Sequence, residues 1–147
     1  MSATFLIVAA LLGSAVAACA GPSRQFRAVM QGAAEMPPFP VVLSDETGFV
    51  TGFESPPIDP SADYRDLVAR ADPTDPKAFI VSWLGGACDK DASLTFKRGQ
   101  DVYVLNVAVH NGIGLFGGCT ALGVPREVRI VTSSPIPIDT IVAAGHT

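Results

Sequence analysis

Few side chains in this sequence are equipped for chemistry. There are three cysteines, Cys19, Cys88 and Cys119, and two histidines, His110 and His146. His146 is the penultimate residue, which leaves His110 as the one candidate base. It stands beside Asn111, ahead of a glycine-rich run over 112–118. Nucleophilic catalysis needs a nucleophile, a base and an orienting group, and no Gly-x-Ser-x-Gly elbow accompanies His110. Asp89 and Asp91 are the nearest acidic pair. With His110 and a carbonyl they would form a weak metal site, but a polar turn is the usual explanation for such a pair. The short Cys and His spacings that bind zinc are missing. So is the Lys that would turn the glycine run into a phosphate loop. The expectation is therefore no catalytic residue, no metal and no cofactor.

The cysteines divide. Cys19 ends an uncharged apolar leader, TFLIVAALLGSAVAA over 4–18, too short for the ~20 residues of a spanning helix. Small residues follow it, as at a signal-peptide cleavage site. Export makes Cys88 and Cys119 an even pair in an oxidising compartment, each beside two glycines (Gly85-Gly86, Gly117-Gly118), and predicts a disulfide. Closing that loop of roughly 30 residues is worth about 3–4 kcal/mol in the chain-entropy treatment.

Val16-Ala17-Ala18-Cys19 resembles the lipobox of bacterial lipoproteins. The resemblance implies a diacylglyceryl group on Cys19, cleavage before it, and a membrane-tethered extracytoplasmic protein. Cleavage after Ala17 or Ala20 would instead release a secreted one. On the lipoprotein reading the chain divides into a signal peptide (1–18), a tether (19–25) and one domain (26–147).

The chain has 147 residues with a net charge of −4, and its ten Lys and Arg are scattered. A basic face of the kind that grips nucleic acid is not expected. Twelve Pro and fourteen Gly favour short strands and turns over long helices.

Alternation of apolar residues predicts strands near 25–29, 41–43, 47–53, 78–84, 94–96, 102–110, 127–132 and 139–143. The 41–43 and 47–53 segments read as a strand pair around Ser44-Asp45-Glu46. The stretch 78–84 is apolar on both faces and reads as a central strand. Lys97 to Asp101 reads as a hairpin turn with Gly99 available for positive φ. Tyr64, Leu67, Val68 and Ala71 fall at helical spacing behind Asp59 and Pro60, predicting one short helix. Eight acidic residues lie between Asp45 and Asp75, too dispersed for a calcium loop, and read as a solvated crossover. The expected fold is mostly β: an antiparallel β-sandwich or partly open barrel with one short helix and one disulfide.

From Trp83 onward the patterns W-x-G-G-x-C-D, G-x-D-x-Y-x-L-x-V and C-x-A-x-G-x-x-R-x-V look like small exported domains of bacterial lipoproteins and cell walls. That resemblance implies a β domain without adding chemistry. Leu115 and Phe116, large and apolar between glycines, would either plug one end of the sandwich or serve as a contact anchor. The leading functional expectation is a membrane-anchored, extracytoplasmic binding or structural domain without catalysis, with the membrane and an envelope protein as partners. The alternative is a small secreted metal- or ligand-binding protein or hydrolase using His110.

Overall fold

The computed structural model describes residues 22–31, 37–59, 61, 64, 66–112 and 123–146. Among the described residues nine strands run in chain order: β1 (Arg24–Met30), β2 (Phe39–Asp45), β3 (Val50–Glu54), β4 (Val68–Ala71), β5 (Ala78–Gly86), β6 (Asp89–Arg98), β7 (Tyr103–Asn111), β8 (Gly123–Thr132) and β9 (Ile141–His146). They form a five-stranded sheet, β1-β2-β6-β7-β9, facing a four-stranded sheet, β3-β8-β5-β4. The sheets also touch along their sides, β1 to β3 and β4 to β9, so the sandwich approaches a partly closed barrel.

The core follows from period-two alternation. Phe39, Val41, Leu43, Leu94, Phe96 and Leu105 come from the larger sheet, and Phe79, Val81, Trp83, Val128 and Ile130 from the smaller; all are buried. β5 is the central strand expected from its two apolar faces, hydrogen-bonded to β8 and β4. The 97–101 segment is the expected β6–β7 hairpin connection. Gly99 serves there by its lack of bulk: a Cβ would sit 3.0 Å from the Val102 carbonyl oxygen.

Five expectations need correcting. The 41–43 and 47–53 strands are not a hairpin, because they belong to different sheets. The chain turns a corner between them. The buried Asp45 carboxylate accepts from the Thr47 N–H (2.9 Å) and hydroxyl (2.6 Å) and from the Val50 N–H (3.1 Å), and Gly48 supplies φ +74°. The sandwich is not purely antiparallel, since β2 runs parallel to β6 and β7 to β9. In both cases the chain crosses to the smaller sheet before it returns, which leaves the returning strand in the original direction.

The predicted helix is replaced by β4, paired to β5 with Val68 opposite Ser82 and Ala71 opposite Phe79. Among the described residues the only helical element is a 3-10 turn at Ile138–Thr140. It takes the first residues assigned by sequence to the last strand. β9 follows it at a sheet edge, where the prolines placed it. Finally, Arg24 and Gln25 belong to β1 rather than to a tether. The leader, Cys19, Cys119, Leu115 and Phe116 lie outside the described residues.

Candidate functional site

The sequence-derived candidates separate once folded. Asp91 and His110 are cross-strand partners on β6 and β7, with Asp91 Oδ1 2.5 Å from His110 Nδ1. The pair is exposed, at 36% and 55% of the side chains, where such contacts contribute about 0–1 kcal/mol. Asp89 does not join it. A bulge between Asp89 and Asp91 turns Asp89 back over the β5–β6 turn, where its carboxylate accepts the Gly86 N–H at 2.5 Å. Among the described residues no three His, Cys, Asp or Glu side chains converge as a metal site. Cys88 lies on that same turn, and its carbonyl accepts the Gly112 N–H at 2.8 Å. This ties the end of β7 to the β5–β6 connection.

The acidic crossover is not simply solvated. On the outer face of the smaller sheet, Arg129 spreads its guanidinium over three carboxylates. Nε donates to Asp72 (2.5 Å), Nη1 to Glu54 (2.6 Å) and Nη2 to Asp75 (2.9 Å). Asp72 also accepts from the Thr74 N–H and hydroxyl. Arg129, then Thr74, hold the Asp72 carboxyl well below the usual carboxylate range, and Asp72 in turn holds Arg129 above its ordinary value.

Beside this fork the buried Glu127 accepts from Arg70 at 2.5 Å and from the Asp59 N–H at 3.3 Å. A cleft of about 460 Å³ opens here between the prolines at 56, 57 and 73 and the strand surface. Its carboxylates are engaged by protein partners, so the arrangement works as a clamp that holds Glu54, Asp59, Asp72 and Asp75 against β8 and β4.

One end of the sandwich is different. Along β8, Glu127 and Arg129 face outward, while Arg126 keeps phase with the core residues Val128 and Ile130. A cation therefore points between the sheets. Arg126 is 4% exposed, and its guanidinium carbon stands 3.8 Å from the centre of the Phe39 ring on the opposite sheet. Among the described residues its Nε has no hydrogen-bond acceptor, and neither does the indole N–H of Trp83, the residue directly across on β5, nor Arg70 Nε on the outer face. Burial pushes the Arg126 guanidinium down from its ordinary value, and the Asp89 charge opposes that shift.

The side chain borders a cavity of about 310 Å³ walled by Pro37, Pro38, Phe39, Pro40 and Ala87, with Asp89 and Lys90 at its charged side. Gly85 forms the floor under both charges: a Cβ there would come within 2.7 Å of Asp89 Oδ2 and 3.3 Å of Arg126 Nε. The prolines fix the backbone of this wall, so the cavity is largely preformed.

Reading the sequence for chemistry missed Arg126, which had been counted only among scattered surface cations. The signal was its phase, two and four residues from Val128 and Ile130 in an alternating strand. No protein-family model, curated protein or solved structure matches this chain, so the site rests on its own geometry.

Proposed function

We propose that this chain is a non-catalytic, extracytoplasmic binding domain, tethered to a membrane through Cys19, with the Arg126 end of the sandwich as its binding site. The observation that carries the reading is a buried guanidinium, lining a cavity, whose Nε has no acceptor among the described residues. A buried donor left unmet costs about 1–3 kcal/mol, and a buried charge without a hydrogen-bonded partner carries a desolvation cost that an apolar side chain of similar volume does not. A core that keeps such a group is kept short of its best stability, the usual mark of a site shaped for a ligand. The opposite face has the larger cleft and its own unmet donor, Arg70 Nε, but there Arg70 and Arg129 are each paired to carboxylates, whereas no salt bridge holds Arg126 among the described residues.

The tether rests on the lipobox-like run before Cys19. Cys88 lies on the β5–β6 turn that leads into Asp89, so a Cys88–Cys119 disulfide would stiffen one wall of the cavity.

The intact mass of the protein recovered from its own host tests this part. A diacylglyceryl group on Cys19 and a gain of about two daltons on reduction, the change for one disulfide, are the expected result. A chain beginning at Ala18 or Gly21 without lipid would overturn the tether and make the protein a soluble secreted binder. An unchanged mass on reduction would overturn the disulfide.

A further inference from the structure

We propose that the cavity beside Arg126 takes a small monocarboxylate with an apolar body, such as an aliphatic or aromatic acid. This rests on the binding reading above and narrows it to a ligand class. The unmet group is a donor. Arg126 lines the cavity and its Nε lacks an acceptor among the described residues, so the group that completes this end of the core must bring acceptor oxygens. The charge has the right sign: Arg126 and Lys90 against Asp89 leave one net positive charge on the lining, in a chain whose net charge is −4.

The geometry suits a carboxylate. Phe39 covers one face of the guanidinium at 3.8 Å, which leaves the edge as the direction of approach. Carboxylates meet guanidinium groups edge-on, through paired N–H donors. The volume, about 310 Å³, lies at the small end of ligand cavities, and the proline walls offer apolar contact for the rest of the molecule.

Asp89 supplies selectivity. Its carboxylate stands over Gly85 beside Arg126 and repels a second negative charge, which disfavours phosphate, sulfate and dicarboxylates relative to a monoanion.

Trp83 is the only tryptophan in the chain and sits opposite Arg126 across the β5–β8 pair, so its emission reports on the site. The purified protein is titrated with benzoate, with butyrate, with the neutral isostere benzamide, and with inorganic phosphate. A saturable change in Trp83 emission with either carboxylate, at least tenfold weaker with benzamide and phosphate, is the expected result. Arg126→Met should weaken carboxylate binding by about 10-fold to 100-fold, the range for loss of a charge-assisted hydrogen bond. Asp89→Asn keeps an acceptor for the Gly86 N–H and removes the repulsion, so it should tighten binding several-fold. Lys90→Ala, on the rim, should weaken it several-fold. The last two variants keep the test open if Arg126→Met does not fold.

Lack of saturation with both carboxylates overturns the carboxylate assignment. If benzamide or phosphate then saturates and Arg126→Met abolishes that response, the binding reading survives and only the ligand class falls. Carboxylate binding that is indifferent to Arg126→Met, or to both Asp89→Asn and Lys90→Ala, overturns the site.

Discussion

Phe96→Ala is expected to cost about 3–5 kcal/mol of unfolding free energy, the range for truncating a fully buried aromatic side chain. Phe96 is 0% exposed and sits in β6, the middle strand of the larger sheet. Its ring meets Phe79 of the opposite sheet at 5.6 Å between centroids and stacks on Tyr103 of the neighbouring strand at 5.5 Å. The side chain thus joins the two sheets and orders the hairpin partner. Its carbonyl also accepts the Glu46 N–H at 2.8 Å, at the corner where the chain leaves the sheet. The alanine variant keeps that backbone bond, so the loss measured is packing alone.

Phe96→Leu, which leaves a smaller cavity, should cost roughly a third as much. Urea unfolding checks both: the midpoint falls and the slope stays constant. A loss below about 1 kcal/mol for alanine would mean that the two sheets do not meet at this ring.

Arg129→Met is the second large effect, with an expected loss of about 2–3 kcal/mol near neutral pH. Removing one partner of a fully buried ion pair costs about 3–5 kcal/mol. The figure is set lower because the Arg129 side chain is 19% exposed and its Glu54 partner 58%. Most of the loss comes from Asp72, whose side chain is 5% exposed and would keep only its Thr74 donors. Glu54→Gln, by contrast, should change stability by no more than about 0.5 kcal/mol.

The pH dependence has a definite sign. The folded-state pKa of Asp72 is depressed below its ordinary value of 3.8. Its contribution is therefore complete above that value and is lost as pH falls through the lower, folded-state one. The stability gap between the wild type and Arg129→Met should be widest at neutral pH and close progressively below about pH 4. A gap that persists undiminished into strong acid would show that Arg129 acts by packing rather than by its charge.

How much of this was legible beforehand depends on whether the deciding interaction is local. β5, β7 and β8 could be read from alternation, because Phe79, Val81 and Trp83, or Leu105 and Val107, need only a nearby apolar partner to define a face. The 97–101 hairpin was legible for the same reason. The Asp45 corner was not. A polar turn between two apolar runs looks the same whether the second run pairs with the first or crosses to another sheet, and the distant partner, β8, decides it.

The helical stripe at Tyr64, Leu67, Val68 and Ala71 failed through competition. Four apolar positions among prolines are a weak helix signal, and β5 offered Val68–Ala71 a ladder of backbone hydrogen bonds. The parallel pairs were invisible because they depend on crossings between layers. Arg126 was the exception, legible in principle from its core-facing phase. The cavity it borders was not, since Pro37–Pro40 and the β5–β6 turn are about fifty residues apart in sequence.

The central claim is that Arg126 is retained for a ligand at some expense to the fold. Thermal unfolding of Arg126→Met beside the wild type, both without ligand, tests it most directly. The guanidinium is buried with its Nε unmet among the described residues, so a methionine of similar length, which removes the desolvation cost of an unpaired charge, should melt at the same temperature or several degrees higher. A variant that melts well below the wild type would contradict the account and make Arg126 a structural residue of the sandwich.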